Sequence, residues 1–381
     1  GAEHGPGTGD NIDMGATVSN IQRTRREWLM AASSSGRRSH AMDRRVQGVR
    51  LADIARRTGY SLATVSKVLN GHPDVSAETR KRIDTELRAS GYSRHKRHLY
   101  RTSRCIEVVF ESLDTVWGME LLRGMVTTAK LFDVSVVVTQ SGSREHVDPQ
   151  WVDDVAQRRP IGAILVFSEL TDSEHKCLSD HDIPYVILDP SGEPSSDSIS
   201  VQADNWKGGV IATKHLLDLG HTRIGIITGP RSMFCSRARL SGYMSALEEK
   251  GILHDSTLIR EGDFRTQSGY EQAMSLLRDV ENRPTAIFGG SGLQCMGVYE
   301  AARQLGLRIP EDLSVVGFDD IQTSEFMGPP LTTVHQPLQE MASLATRLIM
   351  DIHANRVLLR TTILPVGLVV RNSTCAPRTV D

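Results

Sequence analysis

Cysteines and long apolar runs are scarce in this sequence. Its five cysteines are odd in number and widely scattered, so they indicate neither a disulfide framework nor a metal site of the Cys-x-x-Cys type. No window holds about 18 consecutive apolar residues, which excludes a membrane-spanning helix of ordinary length. No apolar stretch precedes a small-residue cleavage site near residue 1, so we expect no secretory signal and a cytoplasmic protein.

Motifs of common enzyme classes are missing as well. The sequence has no G-x-S-x-G, P-loop or H-E-x-x-H motif. The Asp153-Asp154 and Asp319-Asp320 pairs are adjacent in the chain, so they do not flank a substrate as an acid/base pair would. His95 and His98 have helical spacing but no third metal ligand nearby. We therefore predict that the chain is not an enzyme and uses no metal or cofactor.

Charge is distributed very unevenly along the chain, although the net charge is only −2. Residues 44–104 hold 15 Lys and Arg against 5 Asp and Glu, a net of +10, whereas residues 105–381 hold 24 against 36, a net of −12. A basic segment joined to an acidic body indicates a module that binds a polyanion. A solvated basic surface without a partner explains the charge equally well.

Composition divides the chain into four segments. Residues 1–46 are rich in Gly, Ser, Arg and Thr and are predicted to be a disordered N-terminal tail. Residues 47–92 show the spacing of three short helices, and residues 93–104 form a basic hinge or linker. Residues 105–381 alternate between buried-strand and amphipathic-helix patterns, which predicts parallel sheets with helices on both faces. About ten strands are too many for one comfortable sheet, so we predict two α/β lobes with a ligand cleft between them.

The helices of residues 47–92 carry the signature of a helix-turn-helix. Counting Leu51 as first, a small residue (Ala55) is fifth, Gly59 is ninth, and two valines, Val65 and Val68, are fifteenth and eighteenth. Ala55 permits a close helix crossing, Gly59 accepts positive φ in the turn, and the valines pack the second helix onto the first. An ordinary helical hairpin is the alternative. The basic context favours a DNA-binding module, with Ser61 and Ser76 as the N-caps of its second and third helices.

The run LADIARRTGYSLATVSKVLNGHPDVSAETRKRI resembles the DNA-binding head of the lactose/galactose repressor (LacI/GalR) family. Further along the chain, LLDLGHTRIGIITGP, SRARLSGY, RIPEDLSVVGFDD and PPLTTVHQP resemble the sugar-sensing core of that family. The resemblance implies a small all-α helix-turn-helix head and a two-lobed α/β core with the fold of periplasmic sugar-binding proteins. It also implies a nucleoid-associated homodimer that binds a pseudo-palindromic operator in double-stranded DNA and responds to a small sugar or oligosaccharide.

This resemblance assigns candidate DNA contacts to the second helix. The side chains expected to face base edges or phosphates are Ser61, Leu62, Ala63, Thr64, Ser66, Lys67 and Asn70. Lys67 can donate to guanine or to phosphate, and Leu62 and Ala63 can contact only apolar groups such as a thymine methyl. Core packing is the alternative role for Leu62.

The linker departs from the pattern of the family. Arg94 and His95 stand where a Pro-Asn pair is usual, and Arg101 stands where a leucine usually enters the minor groove. In the family, the inserted leucine kinks the DNA, and its absence here leaves open whether this chain does so. The basic residues Arg94, Lys96, Arg97 and Arg101 still favour phosphate contacts, while a plain flexible linker is an equal alternative.

Polar residues at predicted strand ends are the candidate effector contacts. Asp189 and Asp319 each end a strand, and Arg237 precedes a helix. By the resemblance, these three occupy hydroxyl-binding positions, and a forked guanidinium with two carboxylates suits a sugar. The alternatives are a helix-capping role for the Asp319-Asp320 pair and a surface salt bridge for Arg237.

Three further residues complete the predicted effector site. Trp117 and Phe264 can offer apolar faces to a sugar ring, and Ser291 stands where the family often has asparagine. We thus predict a sugar-responsive transcription regulator, a repressor that its effector releases from DNA. The alternatives are a ligand-activated regulator, a stand-alone sugar-binding protein and a sugar-modifying enzyme.

Overall fold

The computed structural model describes most of the chain from residue 51 onward. The described residues are 51–69, 75–89, 103–113, 115–143, 146–147, 150–166, 170–192, 198–356 and 360–378. They belong to two compact units, divided between residues 101 and 102, and each unit is described by itself.

The first unit contains three short helices around a small core. The helices are α1 (Leu51–Thr58), α2 (Leu62–Leu69) and α3 (Ala77–Ala89). Their common core consists of Ile54, Val65, Val68, Ile83 and Leu87, all with less than a tenth of their surface exposed. The predicted packing of both valines is therefore confirmed.

Two local features set the angle between α1 and α2. Gly59 has a φ of 76°, a left-handed conformation that costs glycine little, and its amide donates to the Ala55 carbonyl. Ser61 then caps α2, since its Oγ accepts the Thr64 amide at 3.1 Å. Ser76 caps α3 in the same way through the Thr79 amide, so both predicted caps are present.

The second unit alternates strands and helices. The strands are β1 (Cys105–Phe110), β2 (Ser135–Gln140), β3 (Gly142–Ser143), β4 (His146–Val147), β5 (Gly162–Val166), β6 (Tyr185–Leu188), β7 (Ser200–Ala203), β8 (Ile224–Thr228), β9 (Ile259–Glu261), β10 (Ala286–Gly289), β11 (Ser314–Asp319), β12 (Thr332–His335), β13 (Thr361–Leu364) and β14 (Gly367–Val369). The helices are α4 (Val116–Leu131), α5 (Trp151–Arg158), α6 (Asp172–Asp180), α7 (Asn205–Asp218), α8 (Phe234–Glu249), α9 (Thr266–Leu277), α10 (Gly292–Gln304) and α11 (Leu338–His353).

The described strands form two six-stranded sheets and one small hairpin. The first sheet has the order β13-β7-β6-β5-β1-β2 and is parallel throughout. The second has the order β14-β12-β11-β10-β8-β9, and only β14 runs antiparallel to its neighbour. Each sheet is the centre of one lobe, so the prediction of two α/β lobes with parallel sheets is confirmed.

Alternate side chains of the second sheet are buried on opposite faces of the sheet. Ile226 and Phe288 pack in one cluster with Tyr243 of α8, whereas Ile227 and Ile287 belong to a second cluster with residues of α9 and α10. Both faces are thus covered by helices, which explains why these strands are apolar runs without polar alternation. None of the described helices has the length and apolar character required to span a bilayer.

The chain passes between the lobes three times. Strand β7 of the first sheet leads into α7 beside the second sheet, and β12 of the second sheet leads into α11, whose Ile349 packs against Gly162 of the first. Strand β13 of the first sheet is followed by β14 of the second. These three short connections join the two lobes.

Helices α7 and α8 cross in close contact. A Cβ atom at Gly209 would lie 2.2 Å from the Arg239 carbonyl oxygen, and one at Gly242 would lie 2.2 Å from the Trp206 carbonyl oxygen. Larger residues would separate the two helices. The crossing therefore brings Asn205, the first residue of α7, next to Arg239 of α8.

Candidate effector-binding and DNA-binding sites

A cavity of about 80 Å³ lies between the two lobes. Its lining combines residues that follow β1 and β6 of the first lobe with residues of the second lobe. The lining residues are Thr115, Trp117, Asp189, Cys235, Arg239, Phe264, Ser291, Leu293 and Asp319. The position at the carboxyl ends of parallel strands is where open α/β sheets bind ligands.

Arg239 is the cation of this cavity lining, and several contacts with the protein fix the position of its guanidinium. Its side chain is almost fully buried, and its Nε donates to Asn205 Oδ1 at 2.8 Å. Its Nη1 donates to the Gly290 carbonyl and lies 3.7 Å from a carboxylate oxygen of Asp319. The guanidinium carbon lies 3.6 Å from the centre of the Phe318 ring and 5.4 Å from that of Phe264, within the range of cation–π attraction.

The two carboxylates of the cavity both have raised pKa values. Burial raises the pKa of Asp189 to about 6, even though Arg239 and a hydrogen bond from the Asn205 side chain lower it. The neighbouring charge of Asp319 contributes to the increase. Burial likewise raises the pKa of Asp319, against the attraction of Arg239. Both carboxylates are therefore poorly hydrated, and hydrogen bonds from hydroxyl groups of a ligand would stabilise their ionised forms.

Asn205 connects the arginine to a carboxylate of the other lobe. Its Oδ1 accepts from Arg239, and its amide nitrogen contacts the Asp189 carboxylate and donates to the Ala203 carbonyl at 3.1 Å. Asn205 itself is buried and begins α7 directly after the connection from β7. Neither its sequence position nor its residue type gave a prediction, because an asparagine at a helix start is usually read as a cap.

Phe264 reaches the cavity through an unusual backbone conformation. Its φ is 67°, and its ring lies over Gly229, where a Cβ would come within 2.1 Å of the ring carbons. Ser291 Oγ donates to the Phe264 carbonyl at 2.9 Å and accepts the Gln294 amide as the N-cap of α10. Ser291 therefore has a structural role in addition to its place in the cavity wall.

Five of the six predicted effector residues lie in the cavity lining: Trp117, Asp189, Phe264, Ser291 and Asp319. Arg237 does not. Its side chain is exposed, and its Nη1 donates to the Arg231 and Ser232 carbonyls. Two residues on a helix are about 200° apart, so Arg237 and Arg239 point in nearly opposite directions. The arginine of the site is Arg239, which is buried.

Cys235 and Leu293 are lining residues that the sequence did not indicate. Burial raises the pKa of the Cys235 thiol to about 12, so the thiol stays protonated and acts as a small apolar group. In the part of the chain that the structure describes, no three His, Cys, Asp or Glu side chains are grouped as metal ligands would be.

The second helix of the head presents several predicted DNA contacts at its surface. Leu62 is 51% exposed, and Ser61, Ala63 and Lys67 are exposed too, whereas Thr64 and Ser66 are half-buried. Leu62 is thus outside the core formed by Val65 and Val68. Contact with DNA remains a prediction for all of them. Asn70, Arg94, Lys96, Arg97 and Arg101, as well as residues 1–46, lie outside the described residues.

Two family models match the chain. The model of bacterial regulatory proteins of the lacI family matches residues 50–95, and the model of the periplasmic binding protein-like domain matches residues 213–374. The transcriptional repressor CytR of Escherichia coli (strain K12) is 32% identical over 304 residues, which are 79% of this chain and 89% of CytR.

Solved structures of whole regulators resemble the chain over most of its length. The complex of the transcriptional regulator CelR with cellobiose has a TM-score of 0.66 and 29% identity, and covers 85% of this chain and 99% of its own. The lac repressor dimer bound to operator and an anti-inducer has a TM-score of 0.64 and 27% identity, and covers 87% of this chain and all of its own.

These similarities, together with the head and the two-lobed core, define a transcription regulator with a periplasmic-binding-protein-like effector domain. The chain belongs to the LacI family. It is accordingly a DNA-binding regulator and not an enzyme, as the sequence predicts.

Proposed function

We propose that this protein is a repressor that a sugar effector releases from its operator. The observation that carries the proposal is the cavity between the lobes, in which two carboxylates and one guanidinium converge beside the aromatic residues Trp117 and Phe264. Hydroxyl groups can donate to Asp189 and Asp319 and accept from Arg239, while an aromatic surface suits the apolar face of a sugar ring. The CelR relative is a complex with cellobiose, which supports a sugar in this cavity.

The DNA-binding part of the proposal rests on the exposed surface of α2. A polar N-cap, Ser61, is followed by Leu62, Ala63 and Lys67 on the same exposed side. Residues at the start of a recognition helix meet base edges in the major groove. A homodimer would place two such helices about one turn of DNA apart, on a pseudo-palindrome. The lac repressor relative is a dimer on its operator, and CytR is a repressor, which supports both assignments.

Release by the effector follows from the three connections between the lobes. A ligand held by Asp189 of one lobe and Arg239 of the other favours the closed arrangement of the lobes. Closure changes subunit contacts near residues 105–130 and misaligns the two heads on the operator. By linkage, effector and operator weaken each other's equilibrium binding by the same factor.

The other segments of the chain have roles consistent with this proposal. We assign residues 1–46 to a tail, 47–92 to the DNA-binding domain, 93–104 to a basic hinge that contacts phosphates, and 105–381 to the sensing and dimerisation core. A regulator of this kind works where the DNA is, in the cytoplasm at the nucleoid.

The test is a fluorescence-anisotropy titration of the full chain with promoter DNA from its own genome. It is performed with and without a panel of sugars, and at two salt concentrations because phosphate contacts make affinity salt-dependent. We expect salt-sensitive binding that one class of sugar weakens. A sugar that strengthens binding would identify a ligand-activated regulator instead. Sugar binding without any affinity for DNA would identify a stand-alone sugar-binding protein.

A further inference from the structure

The charges of the cavity restrict the kind of sugar that it can accept, and this inference rests on the proposed function. Among the described residues that line the cavity, three are charged: Asp189, Asp319 and Arg239. All three have at most 6% of their surface exposed. Two buried carboxylates therefore line the cavity together with one buried guanidinium. We infer that the effector is a sugar without an acidic group, and that the cavity discriminates against uronates, aldonates and sugar phosphates.

The protein already uses part of the hydrogen-bonding capacity of the Arg239 guanidinium. Its Nε is bonded to Asn205, one Nη1 hydrogen is bonded to the Gly290 carbonyl, and Phe318 lies against one face. The same Nη1 lies 3.7 Å from Asp319, so its charge is already partly neutralised. A bidentate clamp on a carboxylate or phosphate needs two adjacent free N–H groups facing the ligand. The remaining N–H groups of the Nη atoms can donate to hydroxyl oxygens of a sugar.

A ligand carboxylate or phosphate would add negative charge next to two buried carboxylates. The ionised form of Asp189 is already disfavoured, because burial and the neighbouring charge of Asp319 raise its pKa in spite of Arg239. Repulsion between like charges is strong where water is excluded. Hydroxyl groups carry no such cost, since each can donate to Asp189 or Asp319 and accept from Arg239.

Other arginines near the cleft do not supply the missing positive charge to the cavity lining. Arg231 lies 3.0 Å from Glu261, and Arg237 donates to two carbonyl groups on the surface. Arg265 is exposed, and its Nη2 lies 3.5 Å from Ser112 Oγ.

The experiment compares neutral sugars with acidic derivatives of the same sugars, using the full chain bound to its operator DNA. The probes are glucose, galactose and mannose, each with its own uronate and its own 6-phosphate, together with cellobiose and cellobionate. Release of DNA is followed by anisotropy, and binding to the free protein by thermal shift. We expect the active probes to be neutral sugars, with each acidic counterpart weaker by about tenfold or more.

Asp189→Asn tests the physical cause. This variant removes one negative charge, so the affinity ratio between neutral and acidic probes should fall, whatever the loss in absolute affinity. An unchanged ratio would overturn the inference, as would an acidic sugar that releases DNA at the same concentration as its neutral counterpart. Both results leave the proposed function intact. If no sugar of either charge affects DNA binding, the proposed function itself fails.

Discussion

The Nε atom of Arg239 donates a hydrogen bond of 2.8 Å to Oδ1 of Asn205. The same asparagine contacts the carboxylate of Asp189, which follows β6 in the other lobe. One amide therefore holds a cavity residue of each lobe, at the point where the chain crosses from β7 to α7. A ligand that pulls on either Asp189 or Arg239 acts directly on a connection between the lobes.

Replacement of the Asn205 side chain should weaken the response to effector while the protein still folds. We expect Asn205→Ala to lower effector affinity by about tenfold, because Asp189 and Arg239 each lose a charge-assisted hydrogen bond. Operator affinity without effector should be unchanged. The matched control is Lys207→Ala, an exposed residue of the same helix. Equal effector release in both variants would contradict this role of Asn205.

Arg239 and Arg237 form a natural pair for testing the cavity. Arg239→Lys keeps the charge but loses the fork that reaches Asn205 and Gly290, so the effector should no longer release DNA. Arg237→Lys changes an exposed side chain that binds only the Arg231 and Ser232 carbonyls, and should respond normally. Anisotropy gives the response, and thermal unfolding confirms that both variants fold. A normal response of the Arg239 variant would remove this residue from the site.

Effector affinity should depend on pH through Asp189. The pKa of this carboxyl is about 6 in the free protein, and ligand hydroxyls favour its ionised form. Affinity should therefore increase as the pH rises through 6 and become constant above about pH 7, with binding roughly tenfold weaker at pH 5. Asp189→Asn should remove this increase.

Calorimetry of the protein without DNA measures this dependence. The comparison with Asp189→Asn is essential because other groups, among them His335, also have shifted pKa values. The pKa of His335 is raised by its hydrogen bond to Asp320, while Glu340 and Arg371 also act on it. An increase with pH that persists in the variant would assign the effect to another group, Asp319 or His335.

Lys67 of α2 should contribute to operator binding but not to effector binding. Lys67→Ala should weaken operator binding by about 1–3 kcal/mol if the lysine reads a base. If it contacts phosphate, the loss should be uniform across sequences and the salt dependence should decrease by about one ion. Lys176→Ala makes the same charge change at an exposed position of α6 and serves as the control. An operator affinity equal to that of the control would exclude a contact by Lys67.

Helix α4 carries exposed apolar residues that a second subunit would cover in the proposed homodimer. Met119 is 61% exposed and Val126 is 51% exposed, and residues seven apart lie on one face of a helix. We expect Met119→Glu with Val126→Glu to weaken the dimer by tenfold or more, and operator affinity to decrease with it. Sedimentation at several protein concentrations measures the change. Leu253→Glu, at a 93% exposed position, should leave both properties unchanged, and an intact dimer of the double variant would contradict the prediction.

The helix-turn-helix and the alternating core could be predicted from the sequence because their signals are local. Gly59 in the turn, Ser61 at the cap, and Val65 and Val68 at helical spacing each follow from contacts within about twenty residues. The long apolar strands report burial on both faces in the same way. Strand ends also indicated Asp189 and Asp319 correctly as cavity residues, because all parallel strands of a sheet end at one edge.

The tertiary structure alone decided which arginine lies in the cavity and what holds it there. A strand-end rule identifies an edge but not the rotation of the helix that follows it, and Arg237 and Arg239 differ by more than half a turn of α8. That rotation is set by the contact of Gly209 and Gly242 with the backbone of the facing helix. Asn205 joins Arg239 across 34 residues of sequence. Such a pair has no local signal, because only the packing of α7 on α8 brings its two members together.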